Sequence, residues 1–144
     1  LFTDMKATMV GVFNRTGPSP RPSNGRVTTG GLVVMTDCEP GREKEFNKWY
    51  DEIHVPDVLD FGIYFTGARF VNTGVIPGHP KYLAIYETDL DDPAAALAAL
   101  SEQFKALAEQ GRRLDIVKTH YGWPFKLVYS HSRSMATVQE NKDS

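Results

Sequence analysis

The chain has a single cysteine, Cys38, so no disulfide can close within it and no thiolate cluster can hold a metal. That fits a reducing, cytoplasmic setting. Net charge is also small: 16 Lys and Arg against 18 Asp and Glu leave −2. With no basic stripe interleaved with aromatics, neither a nucleic acid nor an anionic membrane is an expected partner. No apolar run is long enough to span a bilayer, and the first residues lack the basic start and long apolar centre of a secretory signal. Of the four histidines, His54, His79, His120 and His131, no two fall in a zinc-type H-x-x-x-H or H-x-H spacing. No metal is therefore expected. Cys38 has no local base and sits beside Asp37, which would raise its pKa, so it is a core thiol and not a nucleophile.

What the chain does have is an ordinary globular composition, 41% hydrophobic and 24% charged, in 144 residues, enough for one core. Residues 1–25 are an N-terminal arm and linker: Met5 to Phe13 is a short strand or an arm over an apolar surface, and Asn14 to Gly25 is dense in Pro, Gly and Ser. Residues 26–131 form the compact unit, and 132–144 a polar tail with little to bury.

Within the unit, Gly31 to Thr36 is a continuous apolar run between Gly30 and Pro40, a strand covered on both faces. Thr66–Asn72 and Lys81–Thr88 flank a turn-forming stretch and should pair as a hairpin. Asp91 or Asp92 followed by Pro93 opens a helix over Ala94 to Arg113, with Arg112 and Arg113 suited to its negative end. A last strand is expected around Trp123 to Tyr129, its start at an edge because of Pro124. The order βαββαβ is ferredoxin-like α+β: a four-stranded antiparallel sheet with two helices on one face. Strands apolar on both faces leave the second face in need of cover, most simply by another copy, closing a homodimer.

The stretch Glu43 to Leu59 organises the rest. Phe46, Trp49, Tyr50 and Ile53 recur at i, i+3, i+4, i+7 while the charged residues between them stay wet. Tyr50 and His54 lie one turn apart on the edge of that stripe. Pro56 should stop the regular helix near His54 and start a short second turn, leaving His54 at a helix C-terminus. There the helix dipole favours imidazolium and burial favours the neutral ring, so the group would exchange a proton near neutral pH. The competing reading is a histidine that only caps the last carbonyls.

Pro40-Gly41-Arg42-Glu43, Phe46, Trp49-Tyr50, His54, Pro56-Asp57 and Leu59 together resemble the dimeric α/β-barrel superfamily, most nearly EthD-like members with a Trp-Tyr-x-x-x-His-x-Pro helix end. The likeness covers Gly30 to Tyr129. It implies a homodimer that holds a small hydrophobic or aromatic substrate between helices and sheet, and it carries over His54 as the proton-transfer residue. Tyr50, Asp51 and Asp57 join His54 as catalytic candidates by helical proximity, and Asn72, Tyr86, His120, Tyr121 and Trp123 are candidate substrate contacts. Asn72 is equally a strand-end cap, and Tyr86 and Trp123 equally core. The expected function is cofactor-independent acid/base catalysis on an aromatic or polyketide-like carbonyl compound, of lyase, dehydratase, cyclase or isomerase type. The alternatives are a cofactor-free monooxygenase and a non-catalytic dimeric small-molecule-binding or stress-response module. A haem reading would have needed His120 as its axial ligand.

Overall fold

A computed structural model of the chain describes residues 11–74 and 77–128. Most of the arm at Met5 to Phe13, the end of the expected last strand at Tyr129, His131 and the polar tail lie outside the described residues. In chain order the elements are β1 (Phe13–Thr16), β2 (Gly30–Cys38), α1 (Glu43–Trp49), a π-helical turn (Tyr50–His54), α2 (Val55–Asp60), β3 (Thr66–Asn72), β4 (Tyr82–Thr88), α3 (Pro93–Glu109) and β5 (Val117–Lys126). The fold is α+β, built on one antiparallel sheet in the order β1-β3-β4-β2-β5.

The sheet has five strands where four were expected. The fifth comes from where the expected arm meets the expected linker: Phe13 to Thr16 pairs antiparallel with β3, Phe13 opposite Asn72 and Thr16 opposite Arg69. Local composition, rich in Pro and Gly just afterwards, says nothing of the open edge that β3 offers from far away in sequence. The hairpin of β3 and β4 forms as expected, Gly67 opposite Tyr86 and Phe70 opposite Leu83. β5 begins at Val117, earlier than its apolar alternation suggested, and as an edge strand it tolerates Pro124.

Alternation sorts the strands into two faces. Leu32, Tyr82, Ala84 and Tyr86 point toward the helices and join Phe46, Tyr50, Val58, Ala96 and Leu100 in the core. Their register partners' neighbours, Val33, Leu83, Ile85 and Phe70, point the other way and are only half-buried. β5 adds Tyr121 and Trp123 to that outer side, opposite Met35 and Val33; their rings stack at 4.5 Å and are 41% and 50% exposed.

Glu43 to Asp60 does not break at His54. Helical geometry continues through it (φ −67°, ψ −51°), and the amide of Val55 donates to the carbonyl of Tyr50, five residues back. The widened turn takes up the proline: Pro56 has no N–H to bond and its ring would crowd the preceding turn of a regular helix, whereas one added residue gives it room at the start of α2. α3 is capped by the Asp92 carboxylate, which accepts from the amides of Ala94 (3.0 Å) and Ala95 (3.1 Å). It ends before Arg112. Gly111 at φ +69° lets its own amide reach Ala108 and that of Arg112 reach Leu107, so both arginines leave the helix axis.

Phe46 is fully buried, whereas Trp49 and Phe104 are half-buried beside a cavity. Phe46→Ala should therefore cost about 3–5 kcal/mol in urea unfolding, and Trp49→Ala and Phe104→Ala clearly less. Equal losses for all three would refute this assignment of faces.

Candidate functional site

Between the helix-facing side of the sheet, the π turn and α3 lies a cavity of about 1090 Å³. Leu32, Val34 and Thr36 of β2 and Tyr86 of β4 border it from the sheet, Trp49, Tyr50, His54 and Asp57 from the first helical segment, and Leu97, Phe104 and Ala108 from α3. Lys105, Arg113 and Asp115 bring charge to its border.

His54 sits in a column of rings. Trp49 stacks on it at 4.6 Å and Phe104 at 5.4 Å, with interplanar angles of 24° and 25°, while Tyr50 meets it edge-on at 4.7 Å. Burial pushes its pKa down from 6.5 to about 4; Asp57 pulls the other way, and Arg69 and Arg113 add to the fall. The expected balance near neutral pH is thereby corrected. The helix continues past His54, so no terminal carbonyls face the ring, and the capping reading loses its partner as well. At neutral pH the imidazole is uncharged, a base and not an acid.

Tyr50 is buried at the same wall, and burial raises its pKa against the pull of Arg69 and the hydroxyls of Thr36 and Tyr86. Its ring rests on the guanidinium of Arg69, 4.3 Å from carbon to ring centroid. Arg69 is only 4% exposed, and it pairs with Asp51 and donates to Asn47 Oδ1 at 2.8 Å. It thus grips the helix one turn apart, on the side away from the cavity.

Of the sequence candidates, His54, Tyr50, Asp57 and Tyr86 come together at the cavity. Asp57 is bound bidentately by Arg112, both contacts 2.7 Å. Arg112 also accepts from the Trp49 indole through its carbonyl at 2.9 Å, so this pair holds the loop after α3 to the helix and serves no helix dipole. Asp51 does not border the cavity; it is taken up by Arg69. Asn72 turns to the following loop, accepting from the Gly74 amide at 3.0 Å, the strand-end role. His120, at the register shift of β5 against β2, pairs with Asp37 at 2.9 Å, and Tyr121 and Trp123 lie on the outer side. None of these three borders the cavity, which leaves His120 unfit as a haem ligand there.

Sequence reasoning missed Thr36, Phe104, Arg69 and Arg113 as members or supports of the site. Arg69 left one signal, a charge in the middle of an otherwise apolar strand. Among the described residues no group of three or more His, Cys, Asp or Glu is gathered as a metal would require, and no helix is long and apolar enough to cross a membrane. Comparisons with protein-family models, curated proteins and solved structures find no match to this chain.

The lowered pKa of His54 makes stability depend on pH. An unfolded chain protonates this imidazole below about pH 6.5, the folded one only near pH 4, so stability is full above the upper value and falls between the two. The component lost on acidification is roughly 3 kcal/mol, read as the fall in unfolding free energy from pH 7 to 4. His54→Gln should flatten that component, since glutamine does not titrate. An unchanged slope in the variant would assign the effect elsewhere.

Proposed function

We propose that this protein is a cofactor-independent enzyme in which His54 takes a proton from a small aromatic or polyketide-like carbonyl compound, giving a lyase, dehydratase, cyclase or isomerase outcome. The observation that carries the reading is the uncharged imidazole bordering a cavity of about 1090 Å³ beside the Tyr50 ring. That volume suits a ligand of drug size, and the ring-lined walls suit a flat one. The imidazole accepts the proton, and the substrate's oxygen takes the charge left behind. His54→Gln should lower turnover of such a substrate by roughly 10²–10⁴-fold with the fold retained. Full activity in that variant would end the catalytic proposal.

A non-catalytic binding module is the second reading, and one observation favours it. Among the described residues no side chain forms a hydrogen bond that would orient the His54 ring, a support commonly given to a catalytic histidine. Stacking between Trp49 and Phe104 takes that role in the enzymatic reading.

We further propose a ferredoxin-like unit that works as a homodimer. Without β1 the strand order is β3-β4-β2-β5, with both helical segments on one side. The outer side, with Val33, Phe70, Leu83, Ile85, Tyr121 and Trp123, is more apolar than a monomer leaves wet, and a second copy would cover it. Light scattering at micromolar concentration should return twice the chain mass of 16.1 kDa. A single chain mass would refute the dimer and leave the cavity reading standing.

A further inference from the structure

Among the described residues two tyrosine hydroxyls are buried with no hydrogen-bond partner, those of Tyr64 and Tyr86. Only Tyr86 borders the cavity. An unpaired buried donor is costly, and a native structure keeps one for a reason. Room for it has been made: Gly67 lies opposite Tyr86 across the β3–β4 pair, and a Cβ there would come 2.7 Å from the Tyr86 ring.

The surroundings of the Tyr86 hydroxyl point one way. Tyr50 is its neighbour, and Thr36 is the third hydroxyl of the group, on β2 beside β4. Against the far face of the Tyr50 ring lies the Arg69 guanidinium, fixed by Asp51 and Asn47. Burial keeps both phenols protonated, so both are donors; the cation behind them favours negative charge in front. Tyr86 can give its proton to the Tyr50 oxygen with a small shift, which leaves the Tyr50 hydroxyl free to give its own into the cavity.

We propose that Tyr50, backed by Tyr86, is the floor of a subsite for the oxygen of a phenolic, enolic or ring-ketone ligand, bound as or on the way to its anion. This rests on the reading of the cavity as a ligand site, and it names the chemical class that site takes. Tyr86 is a positioning residue: it acts on the ligand through Tyr50. The relay polarises Tyr50 as the ligand arrives, and its unmet hydrogen bond is met only in the complex.

Calorimetric titration with 4-nitrophenolate, and with nitrobenzene as the same ring without the oxygen, tests the subsite without needing turnover. The intact protein should bind 4-nitrophenolate saturably and at least about tenfold more tightly than nitrobenzene. Tyr50→Phe and Tyr86→Phe should each lose most of that preference while keeping nitrobenzene affinity. Tyr86→Phe also separates this role from a structural one: it removes an unpaired hydroxyl, so its melting temperature should hold or rise while phenolate affinity falls. No saturable phenolate binding, no preference over nitrobenzene, or an unaltered preference in both variants would overturn the proposal. Absence of the preference in the intact protein, with His54-dependent turnover retained, would remove the subsite alone, whereas phenolate preference in a protein whose turnover is indifferent to His54→Gln would remove the catalytic reading alone.

Discussion

The Arg69 guanidinium is the constraint from which the site's geometry follows. A cation 4% exposed gives up most of its hydration, and a single ion pair rarely makes that good. Here the return is spread over Asp51, the Asn47 amide oxygen and the faces of Tyr50, Phe46 and Tyr82. Because Asn47 and Asp51 stand one turn apart, a single rigid fork fixes the helix where it passes from regular to widened winding. The consequence appears on the opposite side. With its outward face held to β3, the turn has no freedom to rotate, and Tyr50 and His54 are committed to the cavity.

The wide turn is what a helix does to keep going through Pro56, and it is the feature that periodicity could not supply. Spacing correctly gave Phe46 and Tyr50 to the core and put Tyr50 beside His54, because those relations survive a change of one residue in the winding. It could not say that the helix would widen instead of stopping, since both outcomes satisfy the same missing amide. The choice belongs to the contacts of Arg69 and to the stacking of His54 between Trp49 and Phe104, all made by residues distant in the chain or around the helix.

Other departures have the same root. The continuous apolar run of β2 and the apolar stretches of β3 and β4 were legible because one side of each packs into the core beneath the helices. β1 was hidden because its pairing is decided by the edge of β3 and not by its own residues. In β5 the register shift beside Met35 and Thr36 places His120 against Asp37, and alternation carries Tyr121 and Trp123 outward. A chain read without its partners has no way to locate such a shift. Arg112 likewise suited a helix end by sequence, but the left-handed turn at Gly111 sends it across to Asp57.

These placements bear on where charge could go in the proposed reaction. Arg69 and Arg113 both disfavour an imidazolium at His54, and burial does so more strongly. On those grounds alone the ring would be a poor base. The same two cations, however, lower the cost of negative charge on a substrate oxygen in the cavity, and Asp57, though shared with Arg112, still favours the imidazolium. Proton transfer in this reading creates both charges at once. Each then meets its opposite inside the protein, where attraction is stronger than in bulk water. A pKa near 4 in the empty site is therefore compatible with a useful base in the occupied one, because the enolate supplies the partner that raises it.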